Sequence, residues 1–140
     1  MCIRDSFCTI ACVHLDTSRP AIRVAVACGG HPPALLRRAS GTIEEIGRSG
    51  TLLGLVRDPH LEDEQTEMHA DDAIVLFTDG ITEARAPELM LEPEELHRAL
   101  SAIQAGSSQG IVEELTAIAL GGEGAPPRDD IAVLALRARG

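Results

Sequence analysis

No tryptophan and no tyrosine occur in these 140 residues, and Phe7 and Phe77 are the only aromatics. A core must therefore be packed from leucine, isoleucine, valine and alanine, enough for one domain of ordinary size. Positive charge is scarce as well, with 12 basic residues against 22 acidic ones and a net charge of −10. Phosphate backbones and lipid headgroups repel such a chain, so nucleic acid and anionic membrane surfaces are excluded as non-specific partners, and a local cation-binding cleft suits it better. No apolar run approaches the length of a membrane span, and no charged-then-apolar leader ends in a small-residue cleavage site. The reading is a cytoplasmic chain with no membrane contact. Cys2, Cys8, Cys12 and Cys28 lack CxxC spacing and lie in or beside apolar stretches, so reduced core thiols are expected and not a disulfide framework. Cys8, Cys12 and His14 share one strand parity, a geometry that can hold zinc, but small buried hydrophobes are the simpler account.

What is present centres on Ala73-Ile74-Val75-Leu76-Phe77-Thr78-Asp79-Gly80. Five consecutive apolar residues read as a strand buried on both faces, stopped by a Thr-Asp-Gly turn. Gly80 is expected to let the chain turn sharply behind Asp79, so that the carboxylate points into a cleft. An isolated Asp-Gly is usually only a turn, but the far end of the chain changes the weighing. There Arg128-Asp129-Asp130 precedes a second buried run from Ile131 to Leu136. If the two strands are antiparallel neighbours, the end of one lies beside the start of the other, and Asp79 and Asp129 face one cleft.

Residues 1–6 carry neither the periodicity nor the caps of the remaining chain and are excluded from the fold, leaving 7–140 as the domain. Phe7 to Leu15, apolar on both parities, reads as a central strand that the chain enters mid-domain, and it forms a hairpin with Ala21 to Cys28. Gly29-Gly30-His31-Pro32-Pro33 is a rigid, shaped loop. Short strands at 34–37 and 42–46, a glycine-punctuated bend at 50–56 packed on the core, and a solvated edge strand within 61–69 make the middle a β-meander. One helical turn is expected at 82–86. Pro93 at a first helical position, with Leu96, Leu100 and Ile103 at i, i+4 and i+7, predicts an amphipathic helix at 93–104. Ser107 or Ser108 caps a second one over 108–120, striped by Ile111, Leu115 and Ile118, and a glycine and proline loop at 121–127 leads to the last strand.

Four ordered motifs, Gly-Gly-His-Pro-Pro-Ala-Leu-Leu at 29–36, Leu-Leu-Gly-Leu at 52–55, Leu-Phe-Thr-Asp-Gly-Ile-Thr-Glu-Ala at 76–84 and Arg-Asp-Asp-Ile-Ala-Val-Leu at 128–134, resemble the SpoIIE-type branch of the metal-dependent protein serine/threonine phosphatases (the PPM, or type 2C, superfamily). The resemblance implies an α+β fold, an antiparallel β-sandwich flanked by helices, with two ions of Mn²⁺ or Mg²⁺ at one end. It implies that Asp79 and Asp129 are metal ligands, while Asp130 stands where relatives carry Asn or Asp and is assigned no metal bond. Hard cations of this kind take oxygen ligands and keep several waters, so a few carboxylates at strand ends suffice. The implied activity is hydrolysis of phosphoserine or phosphothreonine on a bacterial regulatory protein by two-metal water activation, in a stress-response signalling pathway. By the same analogy the substrate is a STAS-type anti-sigma-factor antagonist and an upstream sensor domain shares the polypeptide. His31 falls where the wider superfamily often places an aspartate, which leaves open a supporting or proton-donating role beside that of a loop histidine bonding to backbone.

The family's Gly-Asp-x-x-Gly segment, whose aspartate bridges both metals, has no counterpart here, since nowhere does Gly precede Asp. The chain is expected to be the C-terminal portion of the domain, incomplete at its N-terminus and a poor phosphatase alone. A non-catalytic interaction module with the same fold is the alternative. Haloacid-dehalogenase-like phosphatases also place Asp-Gly after an apolar strand, but their nucleophilic aspartate would fall at Phe77.

Overall fold

A computed structural model describes residues 6–84, 90–121 and 129–140. Its architecture is three layers: a sheet, a second sheet, and a pair of helices on the outer face of the second. The first sheet holds β1 (Ile10–Asp16), β2 (Ile22–Gly29), β5 (Ser49–Gly50) and β6 (Asp63–Met68). The second has the order β4 (Ile43–Ile46), β3 (Ala34–Arg37), β7 (Ala73–Phe77), β8 (Val133–Arg137). All pairings are antiparallel except the two-residue β2–β5 ladder.

Strand alternation decides what each layer receives. On β7, Ala73, Val75 and Phe77 face the helices, while Ile74 faces the other sheet, so the strand is buried on both sides as its composition predicts. On β3, Leu35 joins the helical side, and Ala34 and Leu36 join Val24, Val26 and Cys28 between the sheets.

The helices are α1 (Pro93–Ala102) and α2 (Ser108–Leu120). Pro93 opens α1, and the Glu95 carboxylate accepts from the Glu92 amide at 3.0 Å, which closes the first turn. Ser107 Oγ accepts from Gly110 N at 3.1 Å to cap α2, and Gly121, at φ 66°, ends it in the left-handed conformation. Leu96, Leu100, Ile103, Ile111 and Leu115 all bury against the sheet. Ile118 does not: it is 41% exposed, and Ala119 is buried in its place. The seam on α2 runs Ile111, Leu115, Ala119, because a helix lying close over β8 takes a small residue at its last contact.

Further expectations are corrected. β1 is an edge strand and not a central one, paired among the described residues to β2 alone, with Phe7 and Ile10 exposed and Ala11, Val13 and Leu15 turned to the core. The middle of the chain is no meander, since it passes from the first sheet at β2 to the second at β3 and β4, and back at β5 and β6. Two facing sheets bury both inner surfaces, which a single meander cannot do. The bend at 50–56 leaves Leu55 and Val56 exposed, and among the cysteines Cys8 and Cys12 lie at the surface while Cys28 alone of the described three is buried. Residues 81–84 form turns and no helix, and the rest of the expected helical turn at 82–86, the interior of the 121–127 loop, Arg128 and Cys2 lie outside the described residues. No helix among the described residues is long and apolar enough to cross a membrane.

Candidate functional site

β7 and β8 run antiparallel with Phe77 opposite Val133, so the chain leaving β7 passes the chain entering β8. Thr78 fastens the two segments. Its amide donates to the Ala132 carbonyl at 3.0 Å, its hydroxyl accepts from the Ala132 amide at 3.0 Å, and the same hydroxyl reaches the Asp130 carbonyl at 3.4 Å. Asp79 follows directly, and its carbonyl accepts from Glu83 N at 2.9 Å and from Thr82 Oγ1 at 3.0 Å. Ile81, fully buried, anchors the turn from beneath.

Gly80 serves a different purpose from the one its place in a turn suggests. It is not among the glycines at positive φ, so the turn itself does not demand it. A Cβ at this position would instead overlap the Asp130 carbonyl and come within 3.2 Å of Ile131 Cγ1. Clearance for the neighbouring chain is what excludes a side chain here.

Asp79 and Asp129 are both exposed, at the end of one strand and just before the start of its neighbour. Their backbones are thus brought side by side. One Asp129 oxygen accepts from the Asp130 amide at 2.8 Å. The donors are exposed carboxylate oxygens on rigid strand ends, which match the ligand chemistry of a hard divalent cation. Among the described residues no group of three His, Cys, Asp or Glu side chains gathers in a metal-holding arrangement.

Two cavities flank this strand end. One, of about 190 Å³, lies on the helix side and is lined by Asp79, Thr82, Phe77, residues of the Pro32-Pro33 loop and the start of α1. The other, of about 400 Å³, opens between β1 and β8 and is lined by Thr78, Ala132 and His31. His31 Nδ1 donates to the Pro32 carbonyl at 2.9 Å, so one ring nitrogen is engaged in holding its own loop. The loop is further pinned at Gly30, where φ is 61° and a Cβ would lie 2.5 Å from Leu52 Cδ2, so the Gly-Gly-His-Pro-Pro and Leu-Leu-Gly-Leu motifs meet there. Burial pushes the Cys28 thiol beneath it upward, which keeps that sulfur protonated and inert.

The sequence singled out Asp79, Asp129 and His31 as candidates, and it did not single out Thr78, Pro93 and His97, which border the two cavities. For Thr78 the available signal was a hydroxyl flanking Asp-Gly at a strand end. For the other two there was none, because their proximity to Asp79 depends on how α1 crosses the sheet.

A family model for stage II sporulation protein E (SpoIIE) matches residues 2–139. Phosphoserine phosphatase RsbU of Bacillus subtilis is 27% identical over 112 residues, covering 79% of this chain and 33% of RsbU. The phosphatase domain of the cell fate determinant SpoIIE from Bacillus subtilis, in a manganese-presoaked crystal, superposes with a TM-score of 0.76 at 16% identity, covering 95% of this chain and 57% of that one. The RsbU and RsbW domains of Rv1364c from Mycobacterium tuberculosis superpose with a TM-score of 0.75 at 22% identity, covering 94% and 36%. The chain thus spans about a third of the length of the curated relative and little more than half of the first solved one.

Proposed function

The chain belongs to the SpoIIE family, and from that membership we propose that residues 7–140 supply the C-terminal side of a metal-dependent protein serine/threonine phosphatase site. The observation that carries the proposal is the bolting of the Asp79 turn to the Asp129 segment through Thr78 and Gly80. Two carboxylates carried on adjacent strand ends offer oxygen ligands that a divalent cation can share.

Asp79 and Asp129 would hold Mn²⁺ or Mg²⁺. When bound, such ions neutralise phosphate oxygens and lower the pKa of the attacking water. The chain's own residues do the positioning: Thr78 fixes the separation of the two strand ends, and His31, through Nδ1, braces the loop on the opposite wall. Phosphoserine is anionic and the protein carries a net charge of −10, so the bound cations would also draw the substrate in. A phosphoserine-bearing protein substrate is supported by the likeness to the phosphoserine phosphatase RsbU, and a STAS-type anti-sigma antagonist under an upstream sensor is the form of it we propose.

Because the sequence has no Gly-Asp-x-x-Gly segment to supply a metal-bridging aspartate, the chain by itself is assigned weak cation binding and poor turnover. Calorimetric titration with Mn²⁺ tests this. The parent chain should bind it weakly, and Asp79→Asn and Asp129→Asn should each abolish the binding while leaving the far-UV circular dichroism spectrum unchanged. Undiminished Mn²⁺ binding in either variant would remove that residue from the site.

A further inference from the structure

The 190 Å³ cavity beside Asp79 is built unlike the rest of the surface. Its floor is Leu35, Leu96 and Phe77, all buried core residues, and Pro32, Pro33 and Pro93 form stiff walls. Its polar groups stand at the rim: exposed Asp79 on one side, and on the other Glu45, whose Oε1 lies 3.2 Å from His97 Nε2 and ties β4 to α1. A dry apolar cavity of about 150 Å³ takes a benzene-sized guest, so this space holds one branched aliphatic or aromatic side chain and nothing larger. Three prolines leave little to order on binding, so the pocket is pre-formed.

Resting on the phosphatase reading above, we infer that this cavity is a specificity subsite that receives an apolar side chain one or two residues from the substrate's phosphoserine. Asp79 belongs to both the cation site and the cavity rim, so a peptide whose phosphate lies at Asp79 has its neighbouring side chains at the mouth. Consecutive Cα atoms are about 3.8 Å apart, which keeps the occupant within a residue or two of the phosphoserine. The Glu45 carboxylate at the rim repels acidic flanking residues, and the apolar floor gives a buried charge no partner. The preferred neighbour is therefore leucine, isoleucine, valine or phenylalanine, and the disfavoured ones are aspartate and glutamate.

The test is a methyl-labelled NMR titration of the chain in Mg²⁺ with three peptides: a phosphoserine peptide with leucine next to the phosphoserine, the same peptide with alanine there, and the leucine peptide without phosphate. The leucine phosphopeptide should shift the Leu35 and Leu96 methyls and bind about ten-fold tighter than the alanine one, with the unphosphorylated peptide weaker than both. Leu96→Phe, which narrows the cavity, should erase the leucine preference but retain phosphate dependence; if that variant does not fold, the peptide comparison decides alone. Equal binding of the two phosphopeptides, both above the unphosphorylated one, overturns the subsite and leaves the phosphatase reading standing. A leucine preference indifferent to phosphate overturns both. Absence of any methyl shift at millimolar peptide overturns the subsite as well.

Discussion

Replacing Gly80 by alanine tests whether clearance at the site governs the strand ends. The added methyl would overlap the Asp130 carbonyl and sit 3.2 Å from Ile131 Cγ1, so residues 129–131 must move outward. An over-packed contact of this kind costs about 1–3 kcal/mol. The movement also loosens the Thr78–Ala132 pair of hydrogen bonds, each worth about 1 kcal/mol. Against this, alanine restricts the unfolded chain and returns about 0.4–1 kcal/mol where the native φ tolerates it. The net expectation is a loss of about 2 kcal/mol. With a urea dependence of about 2 kcal/mol per molar for a domain this size, the unfolding midpoint falls by about 1 M. The chain has no tryptophan or tyrosine, so the unfolding curve is followed by far-UV circular dichroism. Gly106→Ala is the matched control, because a Cβ there meets nothing within 4 Å; its midpoint should stay put or rise slightly. Coincident midpoints for the two variants would refute the idea that the Asp79 and Asp129 segments are held at contact distance. Mn²⁺ affinity should fall in Gly80→Ala and not in the control.

Arg37 donates through Nε to the Leu100 carbonyl at 3.0 Å and through Nη2 to that of Ile103, supplying the positive charge that the last turn of α1 lacks; Arg37→Met should cost about 1–2 kcal/mol in a thermal melt and speed amide exchange in α1 more than in α2. Asp72, 3% exposed, accepts from Ala39 N at 2.9 Å, His69 N at 3.0 Å and Arg38 Nη1 at 2.9 Å. Burial alone would raise its pKa, but the amides of His69 and Ala39 and the Arg38 guanidinium outweigh burial and hold it below the ordinary value. Its contribution is therefore complete above the unfolded pKa of about 3.9 and is lost as pH falls through the lower folded value. Asp72→Asn should lose about 3 kcal/mol at pH 7, and its stability should decline less steeply with acid than the parent's. An acid profile parallel to the parent's would show that Asp72 does not carry the dependence.

Much of the fold was legible because its strongest elements are local. β7 is five apolar residues between two turns, and α1 announces itself with Pro93, an acidic first turn and a Leu96, Leu100, Ile103 stripe. What the pattern could not convey is which sheet a strand joins. β1 and β8 are apolar on both parities yet lie at edges, with Ile10 and Leu134 exposed, so their composition is that of interior strands in positions where one flank is open. Ile118 against Ala119 shows the second limit: hydrophobicity selects isoleucine for the seam, but the closeness of α2 to β8 selects the smaller residue. The Arg37 cap on α1 bridges 63 positions in the chain and leaves no local trace.

The candidate site was legible for a different reason. Asp79 ends one apolar run and Asp129 precedes another, and antiparallel pairing makes those two ends neighbours whatever the intervening chain does. The means of holding them was hidden. Gly80 looked like a turn residue, and its place in Asp-Gly supported that, but the turn occurs without positive φ and the glycine is there to admit Asp130. In the sequence Thr78 reads only as the first residue of the Thr-Asp-Gly turn, but it bonds across to Ala132 with both its amide and its hydroxyl. Both residues act on the distance between the two aspartates and neither acts on their charge. Thr78→Val, close in shape but without the hydroxyl, should therefore leave β7 intact and weaken Mn²⁺ binding, whereas Thr78→Ser should retain most of it. If Thr78→Val bound Mn²⁺ as well as Thr78→Ser, the spacing of the strand ends would have to be set by the ladder alone.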